Sequence, residues 1–95
     1  MVQIIWVKRA IQDLNEIAGY IAKDSPRYAD LTIEKIFDKT QILKEYPEIG
    51  RVVPEINDTR IRELIEGRYR IIYEINNPEQ IEILTVHHSS KLLKS

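Results

Sequence analysis

Five of the seven arginines in this 95-residue chain fall in one short stretch: Arg51, Arg60, Arg62, Arg68 and Arg70. Between Arg60 and Arg70 only Glu63 and Glu66 oppose four of them, so the segment is locally positive. A guanidinium binds phosphate or carboxylate through a planar two-point fork that lysine lacks. Strand alternation puts Arg60, Arg62 and Leu64 on one face, and Arg70, Ile72 and Glu74 on one face of the next strand. If the register brings those faces together, three guanidinium groups gather and could hold a phosphodiester or an acidic partner segment. The alternative is a solvated face on which the arginines pair with Glu63, Glu66, Glu74 and Glu82.

His87 and His88 are neighbours in a predicted strand, so their side chains point to opposite faces. They cannot share a metal ion, no Asp or Glu lies within four residues, and cysteine is absent, so no metal site is expected. One of them could serve as a general acid or base, since histidine titrates near neutral pH. No serine or carboxylate constellation accompanies them, and Ser89 and Ser90 read as turn formers. There is no glycine-rich phosphate loop and no dinucleotide fingerprint, so no cofactor is expected. The ending Lys91-Leu92-Leu93-Lys94-Ser95 places two leucines on a basic tail, which could dock on the domain or on a partner.

The elements that must position these residues follow from periodicity. Val2–Val7 is β-branched and aromatic over a strand-like length. From Ala10 the period changes: Ala10, Leu14, Ile17, Ala18 and Ile21 share a helical face, with Asp13, Glu16 and Lys23 assigned to solvent. Ser25 can cap a second helix and Pro26 fits its first turn. Ala29, Ile33, Ile36, Phe37, Thr40 and Leu43 carry its stripe to Tyr46, where Pro47 stops it. The break at Lys23-Asp24-Ser25 makes the pair a helical hairpin, which needs a sheet to cover. Gly50–Pro54 reads as a turn or short edge strand. Arg60–Ile65 and Arg68–Ile75 read as strands around a tight Glu66-Gly67 turn, and Ile81–His88 follows the Asn76–Glu79 turn cluster. The expectation is a two-layer α+β domain, βααβββ, with the hairpin on one face of a mainly antiparallel sheet. Trp6 and Phe37 fall on the faces expected to form its core.

Composition bounds the rest. At 11.2 kDa the chain supplies one core and one domain, residues 1–95. Fourteen Lys and Arg against fifteen Asp and Glu leave a net charge of −1, which argues against a surface built wholly for nucleic acid. The lack of cysteine excludes disulfides and thiolate zinc sites. No apolar run reaches the roughly 18–20 residues that span a bilayer, and Val2–Val7 is too short for a signal-peptide core. A cytoplasmic domain with no membrane partner is expected.

The order of these pieces resembles the RelE/ParE superfamily of toxins from type II toxin–antitoxin modules. The likeness runs through Trp6, Ala10…Asp13-Leu14…Ile17…Tyr20-Ile21, Ser25-Pro26…Ala29 and Leu43…Pro47…Gly50-Arg51. It continues through Arg62-Glu63-Leu64, Tyr69-Arg70-Ile71-Ile72-Tyr73 and Val86-His87-His88. The resemblance implies the fold above, a role in plasmid stabilization and a cognate antitoxin whose disordered segment wraps the toxin.

Two chemistries divide that superfamily. RelE-like members are mRNA interferases that cut mRNA on the ribosome with basic strand residues, an arginine and a tyrosine near the C-terminus. On that pattern Arg70, Arg62 and His88 would be catalytic, but Ser89 stands where a basic residue is usual and no tyrosine follows Tyr73. ParE-like members inhibit DNA gyrase, and their ending is similar to Val86, His88, Lys91 and Leu93 here, with Lys91 in place of arginine. RNA cleavage through a 2′-hydroxyl needs an acid, a base and a cation, and the set here is incomplete. The resemblance therefore favours a gyrase-inhibiting binding protein, with a ribosome-dependent endoribonuclease as the alternative. Partner-binding candidates are Arg60, Arg62, Arg68, Arg70, His87, His88, Lys91, Leu92 and Leu93.

Overall fold

A computed structural model describes residues 2–90. The elements in chain order are β1 (Gln3–Trp6), α1 (Lys8–Ala22), α2 (Pro26–Thr40), a 3-10 turn (Gln41–Lys44), β2 (Arg51–Val52), β3 (Ile61–Glu66), β4 (Tyr69–Asn77) and β5 (Gln80–His88). The five strands form one sheet in the order β1-β5-β4-β3-β2. β1 runs parallel to β5 and every other pairing is antiparallel. The expected two-layer α+β arrangement is therefore present, with α1 and α2 as an antiparallel hairpin on one face.

Local chemistry accounts for most boundaries. Ser25 is extended and its Oγ accepts the Tyr28 amide at 3.1 Å, while Pro26 opens α2 where no N–H is needed. The stripe expected to run as one helix to Tyr46 tightens at Gln41 into the 3-10 turn, which still buries Leu43. The β3–β4 turn is Gly67-Arg68, one residue later than expected, and Gly67 takes the left-handed φ of +58° that glycine tolerates. That shift leaves Glu66 paired with Tyr69.

The core joins Ala10, Ile36 and Leu43 from the helical layer to Leu64, Ile71, Tyr73, Ile81, Ile83 and Val86 from the sheet. Ile81, Ile83 and Val86 do not keep a two-residue period. A bulge at Leu84 reconciles them: Ile72 pairs with Thr85, but Tyr73 pairs with Ile83. The extra residue returns Val86 to the helix-covered face.

Two core expectations need correction. Phe37 is 47% exposed and stacks at 6.1 Å on a half-buried Trp6, so the pair edges the core rather than filling it. Asp13, assigned to solvent, is buried. It stands three residues after Ala10, on the apolar stripe itself, and α1 lays it against the part of β5 that extends past β1.

Candidate functional site

Register decides what the arginines can do. In β3 and β4, Arg62 pairs with Tyr73 and Ile65 with Arg70. Directly paired residues share a face, so Arg62 lies on the helix side with Leu64, Ile71 and Tyr73, whereas Arg70 lies on the opposite face. The register therefore does not meet the condition for gathering Arg60, Arg62 and Arg70. Arg60 precedes β3 and forks onto the adjacent Asp58, at 3.4 and 3.2 Å from its two carboxylate oxygens. That contact holds the Asp58 carboxyl below the usual carboxylate range.

Arg70 is buried and each side of its guanidinium is occupied. Its Nε donates to Glu63 at 2.5 Å, and its two terminal nitrogens donate to the two oxygens of Glu55 at 2.7 and 3.0 Å. Glu63 is itself fully buried and also accepts from Arg51. The bonds that Arg70 donates to Glu55 raise its pKa most, burial opposes them, and Glu63 adds to the rise. The carboxylates paired with these arginines are therefore Glu48, Glu55, Asp58 and Glu63; of the partners that the solvated-face alternative named, only Glu63 makes an ion pair among the described residues.

Arg62 acts as a strut. Its Nε donates to the Thr59 carbonyl at 2.9 Å, and one terminal nitrogen reaches the Gly50 and Glu48 carbonyls at 3.0 and 3.3 Å. Tyr73 ties down the same loop from the core: its hydroxyl donates to the Pro47 carbonyl at 2.7 Å and accepts the Gly50 amide at 3.0 Å. A Cβ at Gly50 would meet the Glu63 carbonyl at 2.6 Å and the Tyr73 ring at 2.8 Å, so close backbone approach requires glycine there.

The two histidines separate as strand alternation requires, and the Leu84 bulge decides which goes where. His88 pairs with Tyr69 and meets its ring edge-on at 5.7 Å, on the helix side. His87 pairs with Arg70, and its Nε2 lies 3.3 Å from the Thr85 hydroxyl. Arg62 and His88 share a face but are separated by the four residue steps from Tyr69 to Tyr73, about 13 Å along the strand. The set Arg70, Arg62 and His88 is thus not assembled around one point. Among the described residues no group of three His, Cys, Asp or Glu could hold a metal ion.

What the fold does assemble is an aromatic groove at the His88 end. One cleft of about 660 Å³ is lined by Ile17, Tyr20, Tyr69, His87 and His88, beside Arg9 and Glu16. A second of similar size continues past Tyr20, Tyr69 and His88 to Tyr28, Leu31, Lys35 and Arg68. Tyr20 is 74% exposed and Tyr28 60%. Such a run of exposed large side chains marks an interaction surface. Tyr20, Tyr28 and Leu31 were not among the site residues expected from sequence, although Tyr28 and Leu31 fall off the buried stripe of α2, which was a signal. Lys91, Leu92 and Leu93 lie outside the described residues.

A helical hairpin across a five-stranded mixed sheet is a fold shared with solved ParE and RelE toxins. A solved ParDE toxin–antitoxin system of Pseudomonas aeruginosa superposes with a TM-score of 0.76 at 21% identity, over 93% of this chain and 96% of that one. The RelBE2 complex of Mycobacterium tuberculosis gives 0.60 at 19% identity, over 92% and 96%. Within that class, residues 4–93 match the family described as ParE toxin of type II toxin-antitoxin system, and the chain belongs to it. Relatives include Y4kP of Sinorhizobium fredii, named as a toxin and 39% identical over 92% of this chain and 88% of its own length. Toxin RelE2 of Caulobacter vibrioides is 29% identical over 97% of this chain and all of its own. No described helix is long and apolar enough to cross a membrane.

Proposed function

We propose that this toxin arrests growth by binding and inhibiting DNA gyrase, and that a cognate antitoxin neutralises it. One observation favours binding over RNA cleavage: both terminal nitrogens of Arg70 are bound to Glu55. Stabilising a crowded phosphate in a 2′-hydroxyl attack requires a cation free to meet the developing charge. Arg70 is neutralised within the chain, Arg62 holds backbone carbonyls, and His88 faces Tyr69 away from Arg70. The match to the ParE toxin family supports the same reading.

Antitoxin binding is assigned to the groove of Tyr20, Tyr28, Leu31 and Tyr69. Those side chains offer apolar area to an ordering segment, and the rim around them mixes Arg9, Lys35 and Arg68 with Asp13, Glu16 and Glu66. Purified protein is expected to block gyrase supercoiling or to trap cleaved DNA, and the block should lift when antitoxin is added. Unaffected supercoiling, together with mRNA cut at ribosomal A-site codons on induction, would replace this reading with the endoribonuclease one.

A further inference from the structure

The two edges of the sheet are built differently. β2 is two residues long, begins with Arg51 and is followed by Pro54. Short length, charge and proline are the usual devices that stop an edge from pairing. β1, at the other edge, is Gln3-Ile4-Ile5-Trp6, with no charge, no proline and no bulge in its register with β5.

The exposed groups of β1 can be identified. The Gln3 amide donates to the Glu79 carbonyl and the Val7 amide to the Ile83 carbonyl, so the odd residues face β5. By alternation Ile4 and Trp6 turn their N–H and C=O outward. Among the described residues no backbone partner meets them there. Beside them lies an open cleft of about 390 Å³ lined by Ile4, Trp6, Phe37, Gln41 and Lys44. The Trp6 indole N–H, buried without an acceptor among the described residues, is a further unpaired donor at this edge.

We infer that β1 is a self-association edge, pairing antiparallel with β1 of a second copy of this chain so that the two sheets become continuous. The parity fits. Residues that exchange two hydrogen bonds in an antiparallel pair must both point outward, so Ile4 meets the second copy's Trp6 and the reverse, about four bonds in all. The two-fold axis then falls on Ile5, which faces its own copy. Charge permits it as well: an uncharged strand meets itself with no like charges opposed across the ladder, and the Ile4, Trp6 and Phe37 surfaces of the two copies adjoin.

The absence of cysteine from the chain makes the test direct. Ile5→Cys places a single thiol on the axis, at a close non-hydrogen-bonded pair where a disulfide can form. Under mild oxidation the full-length variant is expected to crosslink to a dimer, and a Gln3→Cys variant, off the axis, to crosslink at least tenfold more slowly. The unmodified protein should sediment at twice its 11.2 kDa. Ile4→Pro deletes an outward N–H without touching the bonds to β5, and should return the mass to one chain while the circular dichroism is retained. If that variant fails to fold, the Ile5→Cys crosslink still decides. A monomer at high micromolar concentration, or equal crosslinking through Gln3→Cys and Ile5→Cys, overturns the proposal and leaves the edge open to an unlike strand.

Discussion

Arg70 presents its guanidinium fork to Glu55 and its Nε to Glu63, so one buried cation joins the β2–β3 connection to the centre of the sheet. The exchange of a solvated arginine for one paired on three donors has energetic consequences. A buried pair contributes little relative to an apolar replacement, but removing one partner strands the other charge in a dry site. Arg70→Ala is therefore expected to destabilise the fold by about 3–5 kcal/mol, with Glu63→Ala comparable, as read from urea unfolding. Arg70→Lys should recover only part of that loss, because an ammonium cannot reproduce the fork. A loss of toxicity in Arg70→Ala that exceeds its loss of folded protein would count against a structural role.

Gly50→Ala should be among the most damaging single-methyl additions in the chain. The new Cβ would meet the Glu63 carbonyl at 2.6 Å, and a backbone atom in a central ladder cannot step aside as a flexible side-chain end would. Overpacking of this kind costs about 1–3 kcal/mol or more, measurable as a fall in the denaturation midpoint. Gly19→Ala, where nothing lies within 4 Å of the added carbon, should be neutral or stabilising in its helix.

Asp13 predicts a local effect. Its carboxylate accepts the Val86 amide at 3.1 Å and the Thr85 hydroxyl, at the point where β5 has outrun β1 and its backbone lacks a strand neighbour. Asp13→Ala leaves a buried N–H without a partner, at a cost of about 1–3 kcal/mol. Faster hydrogen exchange at the Val86 amide should accompany it. Asp13→Asn keeps an acceptor oxygen and should retain most of the protection.

Tyr73 sets the alkaline limit. Burial raises its phenol above the ordinary value of about 10, with the Gly50 amide partly opposing. An acid held more protonated in the folded state supports the fold at low and neutral pH and loses that contribution as the unfolded phenol ionises. Stability should therefore fall as pH rises through about 10 and beyond. Tyr73→Phe should flatten that fall, leaving the part due to Tyr69, whose phenol burial also raises. It should also cost about 1–3 kcal/mol at neutral pH, by leaving the Pro47 carbonyl and Gly50 amide without their shared hydroxyl.

Sequence alone determined the elements and their layers. Ser25 and Pro26 announce the start of α2 through local backbone chemistry, and the three- and four-residue spacing of Ala29, Ile33 and Ile36 needs no distant partner to be read. The family resemblance was legible for the same reason, since it rests on residue types in order along the chain. Of the groove, Arg68, His87 and His88 were named as candidates from sequence, whereas Tyr20, Tyr28, Leu31 and Tyr69 were not. Asp13 was misassigned because its charge outweighed its spacing, although the spacing was the better guide. Only the tertiary structure decided which residues meet. A two-residue turn at Gly67-Arg68 pairs even positions with odd ones and so sends Arg62 and Arg70 to opposite faces, while the extra residue at Leu84 reverses the parity of β5 beyond it and sends His88 toward Tyr69. A period of two makes strand faces that sensitive to one residue. Glu55 lies fifteen positions from Arg70, and nothing in the intervening sequence marks it as that arginine's partner.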